Sequence, residues 1–130
     1  MVRPASKYPT ELELQILKIV WQQSPMLARD VQAALANCGR ELAKTSIITT
    51  LNTMVAKKYL ARAKQGNMHL FTPKISESEV GDRVVSDVVD RVFDGSTSAV
   101  LLTLFDVKDI NVDELKELRK IIDRKLKNTQ

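Results

Sequence analysis

Leu14, Leu17 and Trp21 recur at helical spacing after Thr10, with Ile16 and Val20 widening the apolar stripe. Thr10-Glu11-Leu12-Glu13 has the S/T-x-x-E form of a capping box at the start of this helix, and Ser24-Pro25 ends it. A second helix is expected from Ala28 to Cys38, with Val31, Ala34, Leu35 and Cys38 on one face and Gly39 as the stop, so Cys38 reads as a small core hydrophobe. The third begins near Ala43 and aligns Ile47, Leu51, Met54 and Lys58, with Val55 adjoining. From Lys57 onward the period shortens toward alternation. Leu60-Ala61-Arg62-Ala63-Lys64 and Met68-His69-Leu70-Phe71-Thr72 flank Gln65-Gly66-Asn67, which signals a β-hairpin.

Past Pro73 the helical period returns. Ser76-Glu77-Ser78-Glu79 is a second capping box, opening a helix with Val80, Val84, Val88 and Val92 at i+4 steps, flanked by Val85, Val89 and Phe93. Such a β-branched stripe is a poor isolated helix, so packing must hold it, and a second copy of the chain is a candidate. Asp94-Gly95 stops it. Ser96-Thr97-Ser98 caps a short helix over Ala99–Phe105 that is apolar nearly all round, and a last helix from Asn111 carries Leu115, Leu118, Ile121, Ile122 and Leu126. Some 55 residues in three helices make a thin core. Either a homodimer shares it or the helices pack back on the N-terminal part.

The outward side of the third helix is unusual. Thr45, Thr49, Asn52, Thr53 and Ala56 point away from the stripe, with Ser46 beside them. A solvated helix face is normally filled by Glu, Lys and Gln, which are better helix formers than Thr. Small hydroxyl side chains suit close entry into a groove, where Thr offers a methyl to thymine and a hydroxyl to a base edge or phosphate. The alternative for such a face is packing against another protein surface. Three helices followed by a hairpin are the order of a winged helix-turn-helix, whose third helix enters the major groove while the wing reaches the neighbouring backbone. The fold expected is therefore mainly α with a small β-hairpin wing: a DNA-binding domain over residues 1–74 and a helical dimerisation segment over 75–130.

Charge sharpens this division. Residues 1–74 carry 11 Lys/Arg against 4 Asp/Glu, whereas residues 75–130 carry 9 against 12. The basic part suits a polyanion, and the acidic part suits protein. With one Cys and one His, neither a disulfide framework nor a Cys/His metal site fits within the chain, and no cofactor is expected. His69 reads as a structural or surface residue, and nothing pairs a nucleophile with a base, so an enzyme is not expected. No run is long and apolar enough to span a bilayer, and the first residues lack an export signal, which together point to the cytoplasm.

As a whole the chain resembles the BlaI/MecI/CopY family of bacterial repressors, often called penicillinase repressors. The resemblance is carried by residues 10–17 leading to Val20-Trp21, by Thr45-Ser46-Ile47-Ile48-Thr49-Thr50-Leu51-Asn52, by Lys57-Lys58-Tyr59-Leu60, and by the wing ending at Phe71-Thr72-Pro73. Val92-Phe93-Asp94-Gly95-Ser96 and Asp113-Glu114-Leu115-Lys116-Glu117-Leu118 look like its dimerisation segment. The resemblance implies a homodimer on a palindromic double-stranded operator, blocking transcription, with two-fold protein symmetry mirrored in the DNA. The DNA-contacting set is then Lys44, Thr45, Ser46, Thr49, Asn52 and Thr53 on the third helix with Arg62 and Lys64 as wing phosphate contacts. The dimerisation set is Val84, Val88, Val92, Leu115, Leu118 and Ile122.

The chain departs from the family at informative points. Thr53 stands where many relatives have a basic residue, and Ile48 replaces an Arg found in some, so neither position offers a bidentate Arg to guanine. In the β-lactam-responsive members a membrane sensor with a zinc peptidase domain leads to cutting of an Asn-Phe bond. The matching bond here is Thr103-Leu104, in a similarly apolar setting. The C-terminal Cys-x-Cys cluster of copper-responsive members has no counterpart in Leu126-Lys127-Asn128-Thr129-Gln130. The alternative to a DNA reader is a winged-helix protein-interaction module.

Overall fold

Helix α1 (Glu11–Gln22) starts at a complete capping box. Thr10 Oγ1 accepts the Glu13 N–H at 3.2 Å, and Glu13 Oε1 accepts the Thr10 N–H at 2.8 Å. Its buried side chains are Glu13, Ile16, Leu17 and Val20, so the centre of the buried face lies slightly to one side of Leu14 and Trp21. Trp21 sits at the margin, where its indole N–H donates to the Ile75 carbonyl at 2.8 Å. These details come from a computed structural model that describes residues 8–129. It divides into two compact units, one ending at Ser86 and the other beginning at Asp87.

In the first unit, α2 (Ala28–Asn37) buries Val31 and Leu35, and α3 (Lys44–Ala56) buries Ile47, Leu51 and Met54. Both helices end in the same double hydrogen bond. Arg40 N–H donates to Leu35 O at 2.9 Å and Gly39 N–H to Ala36 O at 3.0 Å, while Tyr59 N–H donates to Met54 O and Lys58 N–H to Val55 O. This closure requires a left-handed residue after the cap, filled by Gly39 (φ 86°) and by Lys58 (φ 67°). For a lysine that conformation costs about 1 kcal/mol. Two expectations are corrected here. Cys38 is the C-cap of α2 and exposed, not a core residue, because the helix has already ended at Asn37. Lys58 leaves the α3 stripe for solvent, because the left-handed turn swings it off the helix axis.

The wing is β2 (Leu60–Gln65) and β3 (Met68–Pro73), joined by Gly66-Asn67 with Gly66 at φ 62°, the positive first position of a type II′ turn. A third strand, β1 (Met26–Leu27), pairs with the far side of β3 and gives the antiparallel order β1-β3-β2. Met26 lies opposite Phe71 on one side of β3, and Arg62 lies opposite the same Phe71 on the other. Helical stripes and the wing base share one core. Ile16, Leu17, Val31, Leu35, Ile47, Leu51 and Met54 are fully buried, and Tyr59, Leu60, Phe71, Ile75 and Val80 close it. Each large aliphatic side chain so buried contributes about 2 kcal/mol.

Among the described residues of this unit, the one buried charge is Glu13. Lys57, at the C-cap of α3, donates to both its oxygens at 3.1 and 3.0 Å. Tyr59 packs nearby, and its phenol titrates above its ordinary value, first because burial disfavours phenolate and second because Glu13 adds negative charge.

Helix α4 (Glu77–Val92) opens at Ser76, whose Oγ accepts the Glu79 N–H at 3.0 Å. Val80 is buried in the first unit's core and Val84 half-buried against it, whereas Val92, beyond the unit boundary, is 67% exposed. In the second unit α5 (Thr97–Val107) is capped by Ser96 and α6 (Val112–Thr129) by Asn111. No side chain of α5 or α6 is buried. Leu101, Phe105, Leu118, Ile121, Ile122 and Leu126 line an apolar groove between them.

Candidate nucleic-acid interface

Because Ile47, Leu51 and Met54 fix the buried side of α3, its opposite side must face solvent. Lys44, Thr45, Ser46, Thr49, Asn52 and Thr53 are all exposed there. Two threonines bond back to their own helix: Thr50 Oγ1 donates to Ser46 O at 2.8 Å, and Thr53 Oγ1 to Thr49 O at 3.0 Å. The hydroxyl hydrogen of Thr53 is thus engaged, leaving its oxygen lone pair and methyl to the outside.

The start of α3 is arranged against helix stability. Its N-cap is Ala43, with no side-chain hydrogen bond, and its first turn holds no acidic residue but does hold Lys44. A helix in water favours Ser, Thr, Asp or Asn at the cap and negative charge in the first turn. Both preferences are reversed, leaving free N–H groups beside a cation, an arrangement suited to an anion. The N-cap of α2, Leu27, also makes no side-chain bond.

On β2, side chains alternate, so Leu60, Arg62 and Lys64 share a face. Leu60 is buried, and Arg62 and Lys64 are exposed farther along the strand. Arg62 does not extend freely. Its Nη1 donates to Asn52 Oδ1 at 2.7 Å, joining the wing to α3. A groove of about 450 Å³ lies between the start of α2, α3 and the wing, lined in part by Arg29, Lys44, Ile48, Asn52, Arg62 and His69. Lys64 is not among the residues lining that groove; it lies nearer the wing tip, opposite His69. Arg29 and His69 are additions to the residues expected from sequence. The clue to Arg29 was a basic residue in the first turn of a helix whose cap position is Leu27.

The other candidate residues lie elsewhere. Val84, Val88 and Leu118 are half-buried in the single chain, and Val92, Leu115 and Ile122 are exposed. Thr103 and Leu104 are adjacent and exposed on α5. Among the described residues no group of His, Cys, Asp and Glu is placed to hold a metal, and no helix is long and apolar enough to cross a membrane.

Residues 9–124 match the family described as Penicillinase repressor. The penicillinase repressor of Bacillus licheniformis is 25% identical over 114 residues, covering 88% of this chain and 88% of the relative. The methicillin resistance regulatory protein MecI of Mammaliicoccus sciuri is 20% identical over 113 residues, covering 87% of this chain and 91% of that one. Among solved structures, the complex of H. salinarum RosR-S4 shares the fold at 15% identity, with a TM-score of 0.51 and 95% of each chain covered. A mainly helical chain with a small three-stranded sheet, matched over nearly all its length, belongs to the penicillinase repressor family, the BlaI/MecI group of DNA-binding transcriptional repressors rather than enzymes.

Proposed function

We propose that this repressor binds a palindromic operator as a homodimer, each winged unit reading one half-site. The observation that carries this reading is the exposed α3 face, small, uncharged and hydroxyl-rich, with Lys44 and Arg62 beside it in one groove. Thr45, Ser46, Thr49, Asn52 and Thr53 then meet the major groove, Lys44 and the uncapped start of α3 meet phosphate, and Lys64 meets the neighbouring backbone. The N-terminal unit accordingly does the binding and the helices after it the pairing.

The dimer reading rests on α5 and α6, none of whose side chains is fully buried in a single chain although Leu101, Leu102, Phe105, Leu115, Ile121, Ile122 and Leu126 are all apolar. A second copy is the natural cover for this surface, with Val88, Val92 and Leu118 contributing. Relief of repression follows from cutting Thr103-Leu104 within α5 through a membrane sensor peptidase pathway, since severing that helix separates α6 from the rest of the pairing surface. Both residues are exposed, as a cleavage site requires.

Selection of bound sequences from a random duplex library, followed by titration of the best site at two salt concentrations, tests the proposal. A palindrome bound with a steep salt slope is the expected result. No enriched sequence and weak binding would overturn it in favour of a protein partner for the α3 face.

A further inference from the structure

The hydrogen bond between Arg62 and Asn52 changes what each can recognise. Only the oxygen of an Asn amide can accept from a guanidinium, so the 2.7 Å contact fixes Oδ1 of Asn52 toward Arg62 and leaves its amino group as the outward donor. Asn pairs with adenine by giving a proton to N7 while taking one from N6. Here the accepting oxygen already holds a cationic donor, and an adenine amino group brought to it would be pressed against the guanidinium. The surface that the pair presents consists of N–H donors: the free edge of the guanidinium and the Asn52 amino group. Among the four bases, guanine alone offers two acceptors and no donor on its major-groove edge.

Position adds a second argument. Arg62 lies opposite Phe71 in the three-stranded part of the sheet, two residues after buried Leu60, while Lys64 lies nearer the tip. Arg62 also lines the groove with Lys44, Ile48 and Asn52 of α3, so its charge is held alongside the helix face. α3 has no Arg of its own in Lys44–Ala56. A guanidinium delivered from the strand and held by the helix can serve in its place.

The geometry points to Asn52 and Arg62 acting as one unit that reads guanine in the major groove, with Arg62 as the contacting residue and Asn52 as the residue that positions it. This rests on the DNA-binding reading above and replaces the simpler roles of Asn52 as an independent base reader and Arg62 as a phosphate contact.

The test is repeated duplex selection and salt-dependent titration with the full-length protein and its Asn52→Ala, Arg62→Ala, Arg62→Lys and doubly alanine-substituted variants. All the altered side chains are exposed, and matching thermal melts confirm that the variants fold. The two single alanine variants are expected to lose about tenfold to a hundredfold in affinity for the selected site, the scale of one base contact. Both should relax the same guanine position, and the double variant should lose no more than the worse single one. Arg62→Lys should keep the wild-type salt slope yet still relax that position, because an ammonium lacks the planar fork. Losses that multiply, or different positions relaxed by the two alanine variants, would overturn the shared unit. An Arg62→Ala effect confined to a salt slope lower by about one, with base preference intact, would return Arg62 to a phosphate role. Failure of the wild-type protein to enrich any sequence would overturn both this inference and the DNA-binding reading, whereas the preceding outcomes leave that reading standing.

Discussion

The ammonium of Lys57, which closes α3, lies 3.0 Å from the carboxylate of Glu13, which opens α1. The Glu13 side chain is 4% exposed and that of Lys57 26%. The carboxylate thus completes a helix cap and bridges two helices at once. Removing Lys57 strands it in the core, and that penalty is larger than the net worth of the pair.

Lys57→Met should therefore lower the unfolding free energy by about 2–3 kcal/mol, near the bottom of the range for broken buried pairs because Lys57 keeps some solvent. The double variant Glu13→Leu/Lys57→Met should recover part of this loss, since no buried charge remains, although the cap bond to Thr10 N–H is gone. Urea titrations of the variants check both statements. A Lys57→Met protein as stable as wild type would show that Glu13 is solvated by other means.

Tyr59 gives stability a dependence on alkaline pH. Its folded-state phenol titrates above its ordinary value of 10.0, so the folded chain holds its proton longer than the unfolded chain does. The stabilising contribution is fully present below pH 10 and is lost as pH rises through the folded value. As pH rises past about 10, the wild-type protein should lose stability faster than Tyr59→Phe, and parallel curves would remove Tyr59 as the cause.

Thr49→Glu places a carboxylate at the centre of the exposed α3 face. Operator binding should fall by at least about a hundredfold, because a like charge is driven toward the phosphates and an unpaired anion into the groove. Thermal unfolding should be unchanged within about 0.5 kcal/mol, the usual range for a surface position. Retained affinity would show that α3 is not the reading helix.

Ile122 is 52% exposed in the single chain, so Ile122→Asp costs an isolated monomer little. In a dimer that covers α6 it buries an unpaired charge, and sedimentation equilibrium should show a dimer weakened by tenfold or more, or about 1.4 kcal/mol. An unchanged mass distribution would place the pairing surface elsewhere.

Much of this was legible in the sequence because it is written locally. The apolar spacing of Ile47, Leu51 and Met54 fixed the outward face of α3, and the capping boxes at Thr10 and Ser76 marked two helix starts. What escaped depends on partners distant along the chain or on the sign of one dihedral angle. β1 is two residues long, too short to show a period, and exists because Phe71 lies beside Met26. The periodicity runs on to Cys38 and Lys58, but the helices stop short of both at the left-handed Gly39 and Lys58, and nothing in a lysine announces that conformation. The sequence pattern presents Asn52 and Arg62 as independent contacts, because ten residues and a change of element separate them.

The short pairing of β1 with β3 also determines how the wing can move. At Leu70 and Phe71 the sheet is three strands wide, while from Met68 to His69 it is two strands wide and ends in a glycine turn. Fluctuation should therefore be graded along the hairpin, with amide hydrogens near Phe71 exchanging slowly and those near Gly66 exchanging fast. Arg62 belongs to the stiff end and Lys64 to the compliant end. In the proposed complex, the tip of such a wing follows variations in backbone width from site to site, while the group set against α3 keeps its place.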